Sequence, residues 1–81
     1  MDGFKFRERR ERIEKIYDEV NTLIEEKSIG QANKKLKTTE KLLNDLTTED
    51  LSEIQKRSTF NLGIRVKHLA EVAHKVEAKK K

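Results

Sequence analysis

The sequence predicts an all-α fold: a small antiparallel three-helix bundle with a long last helix. That helix is either kinked or, as the alternative, split so that the chain makes four helices. Three observations predict it. Apolar residues recur at steps of three and four, the period of one helix face. No proline occurs in 81 residues, and an interior proline would cost about 3 kcal/mol. The 19 Lys and Arg are interspersed with 15 Asp and Glu. Such mixing suits solvated helix faces better than a self-repelling disordered chain.

The first helix is expected to begin near Lys5 to Glu8. Ile13, Ile16, Tyr17, Val20, Leu23 and Ile24 form its apolar stripe. Phe4 and Phe6 precede the stripe and are expected to fold back over the end of the bundle. The outer face carries Arg7, Glu8, Arg9, Arg10, Glu11, Arg12, Glu14 and Lys15. Glu8 to Arg12 and Glu11 to Lys15 are four apart with the acid first, the favourable order.

A turn falls around Lys27 to Gly30. Two placements compete. Ser28 and Gln31 have capping-box spacing for a second helix; otherwise Gly30 is the C-terminal cap of the first. The second helix runs to about Leu46, with Ala32, Leu36, Thr39, Leu43 and Leu46 inward and Leu42 beside them. Lys34, Lys35, Lys37 and Lys41 make its outer surface basic, offset by Glu40.

Thr47 to Asp50 again has capping-box spacing, and Leu46 and Leu51 occupy the positions of a hydrophobic staple. A helix is therefore expected to start at Thr48 and run to roughly Lys79, with Asn44 to Thr48 as the turn before it. Leu51, Ile54, Leu62, Val66, Leu69, Val72, Ala73 and Val76 fall within about 120° of arc at 100° per residue. Fraying is expected at residues 1–5 and 78–81.

Phe60 and Ile64 do not fit that arc. They share a face with each other, nearly opposite Leu62, Val66 and Leu69. Either the helix breaks near Ser58 to Gly63, with Thr59 capping a fourth helix, or Phe60 and Ile64 form an exposed apolar patch. An apolar pair with a basic and polar rim is a candidate partner site. Its residues are Arg57, Phe60, Ile64, Arg65 and His68.

Composition excludes several functions. Without cysteine there is no disulfide scaffold, thiolate metal site or cysteine nucleophile. No apolar run approaches the roughly 20 residues of a membrane helix. Met1 to Arg12 lacks the apolar core of a secretory leader, so a cytoplasmic location is expected. Ser28, Ser52 and Ser58 lack a nucleophile elbow. Gly3, Gly30 and Gly63 are too scattered for a phosphate-cradling loop. His68 and His74 lie about 240° apart on a helix, so they share no metal site. No cofactor, metal, small-molecule ligand or enzymatic activity is expected.

Charge is uneven along the chain. Residues 1–30 carry 7 basic and 8 acidic residues, 31–50 carry 4 and 4, and 51–81 carry 8 and 3. The whole excess sits in the last third: Lys56, Arg57, Arg65, Lys67, Lys75, Lys79, Lys80 and Lys81. That excess can attract phosphates, so binding of nucleic acid is the alternative to an adaptor, inhibitor, immunity or regulatory module that binds protein or itself. Ile16, Val20, Leu23, Ile29, Ala32, Leu36 and Leu43 are spaced in a way that loosely resembles a tetratricopeptide repeat, over residues 13–46. The aromatic at the start, the closing proline and a second repeat are absent. The resemblance implies a helix pair of the protein-binding kind.

Overall fold

Asp2 starts the first helix. Its carboxylate accepts the Phe4 N–H at 3.4 Å, and its carbonyl accepts the Phe6 N–H at 3.0 Å. In the computed structural model, which describes residues 1–79 and side chains through residue 77, the order is α1 (Gly3–Glu25), α2 (Ile29–Thr47) and α3 (Glu53–Lys79). The all-α bundle of three helices is thus present, and α1 begins earlier than its apolar stripe implies because Asp2 supplies the cap. Phe6 lies inside the helix and is buried, whereas Phe4 stays 74% exposed. Only one of the two phenylalanines closes the bundle end.

The α1–α2 turn uses neither the Ser28–Gln31 capping box nor a Gly30 cap. Lys27 takes the left-handed conformation, φ 63°. Its N–H donates to the Ile24 carbonyl at 3.0 Å, and the Ser28 N–H donates to Leu23 at 2.8 Å. These two bonds satisfy carbonyls left over at the helix end, the Schellman pattern, with lysine where glycine is usual. Ser28 occupies the position before α2 but its hydroxyl makes no capping bond. Gly30 lies within α2. Asp2 and Lys27 therefore settle boundaries that residue spacing left open.

The second boundary is also displaced. Thr47 and Thr48 donate their hydroxyls to the carbonyls of Asn44 and Asp45. They close α2; they do not open α3. The cap of α3 is Ser52. Its N–H donates to the Gln55 side-chain oxygen at 3.0 Å, and the Gln55 N–H donates back to the Ser52 hydroxyl at 3.2 Å. This is a reciprocal capping box. The Gln55 amide nitrogen also reaches the Met1 carbonyl at 2.9 Å, and the Met1 ammonium donates to the Asp50 carbonyl. One glutamine thus ties the start of α3 to the start of the chain.

Two apolar clusters fill the bundle. Val20, Ile24, Ile29, Ala32, Leu36, Val66, Leu69 and Ala73 make one, nearer the α1–α2 turn. Phe6, Ile13, Leu46, Leu51 and Leu62 make the other, at the α2–α3 loop. Leu43 packs against both. Leu46 and Leu51 do share a cluster, although the helix they were expected to staple begins later. The pairing of α1 with α2 is the most extensive and that of α1 with α3 the least. The molecule is a rod of 45 × 16 × 15 Å.

Helix α3 runs without a break. There is no fourth helix among the described residues. Thr59 does not cap one: it is buried, and its hydroxyl donates to the Gln55 carbonyl at 2.8 Å within the helix. Thr59 instead begins the inward seam, continued by Leu62, Val66, Leu69 and Ala73 at steps of 3, 4, 3 and 4. That fills the inward side between Ile54 and Leu62, where the predicted arc has no residue. Gly63 does not break the helix either. A Cβ there would meet the Leu43 side chain at 3.4 Å, an ordinary contact, so the packing against α2 does not require glycine. Ile54, assigned to the inward arc, is 82% exposed. The inward place in that first turn belongs to Gln55.

Candidate functional site

Because α3 is continuous, its two faces are sorted cleanly. One fills the core. The other leaves Phe60 68% and Ile64 53% exposed, four residues apart and therefore one above the other. Arg57, Phe60, Ile64 and His68 fall within about 80° of arc at 100° per residue, and all four side chains are exposed. Of the two alternatives for Phe60 and Ile64, the exposed patch is the one observed.

The remaining members of the set are placed around them. Lys56 and Lys67 lie along one margin of this arc, both exposed. Arg65 lies along the other, toward α1, with its guanidinium carbon 4.9 Å from the centre of the Tyr17 ring. Arg65 therefore serves the bundle as well as the surface, since a cation over an aromatic face is attracted to it. Lys75 is exposed, two turns beyond His68 and one beyond Glu71. The Lys79 side chain, Lys80 and Lys81 lie outside the described residues.

Ile54 is the residue that sequence reasoning placed on the wrong side. Its angle was the signal: at 100° per residue Ile54 stands at the margin of the arc, about 100° from the centre of the Thr59–Ala73 seam, whereas Gln55 falls on that centre. With Phe60 and Ile64 it completes the large apolar side chains that α3 leaves exposed.

The ion pairs lie elsewhere. Among the described residues they are Arg9 with Glu49 at 3.1 Å, Arg10 with Glu14 at 3.1 Å and Lys35 with Glu19 at 2.5 Å. None includes a cation of α3. The hydrogen bond and charge of Lys35, with help from Lys15, hold the Glu19 carboxyl below its usual range. That pair spans α1 and α2.

Among the described residues, no group of three or more His, Asp or Glu side chains converges as a metal site would. A groove between α1 and α2 is lined by Arg9, Arg12, Ile13, Leu42, Asp45 and Glu49, with the Arg9–Glu49 pair across it. No described helix is long and apolar enough to cross a membrane.

Comparison with known proteins adds no relative: no family model, curated protein or solved structure matches this chain.

Proposed function

We propose that the chain is a non-enzymatic, cytoplasmic protein-interaction or regulatory module that acts through the outer face of α3. The observation that carries this reading is the exposure of Phe60 and Ile64 on a helix whose opposite face already fills the core. Their exposure contributes nothing to folding. Covering them would contribute about 1.5–3 kcal/mol each before the cost of association. Exposed cations and His68 around them supply the polar rim that interfaces commonly have.

The test is the double substitution Phe60→Ser and Ile64→Ser. Both side chains are solvated, so melting should shift by no more than a few degrees while recovery of a specific partner from intact cell extract is lost. Unfolding of the variant, or undiminished recovery, would overturn the proposal.

The uneven charge favours a second reading, binding of nucleic acid. Lys56, Arg57, Arg65, Lys67, Lys75, Lys79, Lys80 and Lys81 supply its cations. Nuclease-sensitive recovery of many proteins, with steep loss of oligonucleotide binding between about 50 and 200 mM salt, would support it. No binding to duplex or single strands at about 50 mM salt would exclude it.

A further inference from the structure

The exposed face of α3 carries a charge pattern that singles out an occupant. From Ile54 to Ala70 the chain has Lys56, Arg57, Arg65 and Lys67 and no Asp or Glu. Glu53 and Glu71 bound this run. Within it stand Ile54, Phe60 and Ile64, spread over about 15 Å of helix, or roughly three turns. The backbone beneath them is helical, so an incoming chain meets side chains and cannot add a strand. The cations take no part in the ion pairs seen among the described residues.

A second copy of the chain is disfavoured in the register that would bury Phe60 and Ile64 against each other. Two antiparallel α3 helices related by a two-fold axis seat Phe60 on Ile64 in only one register. That register sets Arg57 against Lys67 and Glu53 against Glu71, like charge on like charge. A nucleic acid would use the cations but has no use for Ile54 and Ile64, which present no ring for a base to stack on. A lipid surface would take a broader apolar face than three side chains among charges.

We propose that this face binds an acidic amphipathic helix of another protein, whose apolar side chains at i, i+3, i+4 and i+7 seat on Ile54, Phe60 and Ile64 while its carboxylates face Lys56, Arg57 and Lys67. The proposal rests on the reading of α3 as a protein-binding surface. It adds the sign of the partner's charge and the partner's shape.

The probes are two synthetic helical peptides with the same apolar positions, one with Glu and the other with Lys at every flanking position. Binding to the full chain is read by fluorescence anisotropy. The Glu peptide should bind at least about tenfold tighter and weaken with added salt. Replacing Arg57→Glu and Lys67→Glu, both exposed, should reverse the preference, with folding checked by circular dichroism. Equal affinity for the two peptides, or no binding of the Glu peptide, overturns the proposal. So does tighter binding to anionic lipid vesicles or to duplex DNA, each of which would assign the face to that surface instead. If the Phe60→Ser, Ile64→Ser variant loses its partner in extract but the wild-type chain shows no preference for the Glu peptide, the binding surface stands and the acidic helix falls.

Discussion

The Arg65 guanidinium lies over the Tyr17 ring, 4.9 Å from its centre, and joins the exposed side of α3 to α1, the helix it otherwise packs against least. Arg65 and Arg57 are both arginines on one helix, yet only Arg65 has this tie. Arg65 is exposed and Tyr17 half-buried, and a cation over an aromatic face near the surface contributes about 0.5–1 kcal/mol. Arg65→Ala should lose about that much in urea unfolding, and Arg57→Ala should lose almost nothing. In a double-mutant cycle with Tyr17→Leu, a coupling near zero would show that the contact is geometric only.

The start of α3 predicts a contrast between two hydroxyls. Ser52 accepts from the Gln55 N–H, whereas Thr48 donates to a carbonyl at the exposed end of α2. Ser52→Ala should cost about 1 kcal/mol. Thr48→Ala should cost less than about 0.5 kcal/mol, as surface changes away from a cap usually do. Equal losses in chemical denaturation would contradict the assignment of the cap to Ser52.

Lys27 holds a conformation that costs a non-glycine residue roughly 1–2 kcal/mol. Lys27→Gly removes that cost at the price of a more flexible unfolded chain. The expected net gain is about 0.5–1 kcal/mol, read as a higher unfolding midpoint. Lys27→Val should lower the midpoint, because a β-branched side chain is disfavoured at positive φ.

Glu19 predicts the direction of one pH effect. Lys35 lowers its carboxyl pKa in the folded protein. The folded state therefore holds this proton less tightly than the unfolded chain, and the stabilisation is present above the unfolded value of about 4.3. It is lost as pH falls through the lower, folded value. Glu19→Gln should melt slightly below the wild type at neutral pH, and the gap should close in acid. Because the pair is solvated, added salt should narrow the gap at neutral pH as well. A gap that widens in acid would contradict the assignment.

How much was legible in the sequence can be judged at particular residues. The stripe of Ile13, Val20 and Ile24 and that of Leu62, Val66, Leu69 and Ala73 follow from the helical period alone, because each helix must bury one face. The caps did not follow. Thr47 and Ser52 both precede an acceptor three residues on, and local spacing ranks them poorly. Ser52 wins because Gln55, an amide, accepts from the Ser52 N–H and donates to the Met1 carbonyl at once. A carboxylate such as Asp50 cannot do both. The deciding partner lies 54 residues away, beyond the reach of a local motif.

The candidate surface divides in the same way. The sequence by itself determined that Phe60 and Ile64 lie opposite the inward stripe, and that no acid falls between Glu53 and Glu71, since period and composition are properties of the chain. Whether another segment covers Phe60 and Ile64 is a question of tertiary packing. Thr59 takes the seam position that a break in the helix would otherwise have been needed to fill, so α3 stays straight and both side chains remain in solvent. Ile54 joins them because it stands about 100° from the centre of the inward seam, at a margin that the packing of α1 and α2 leaves uncovered.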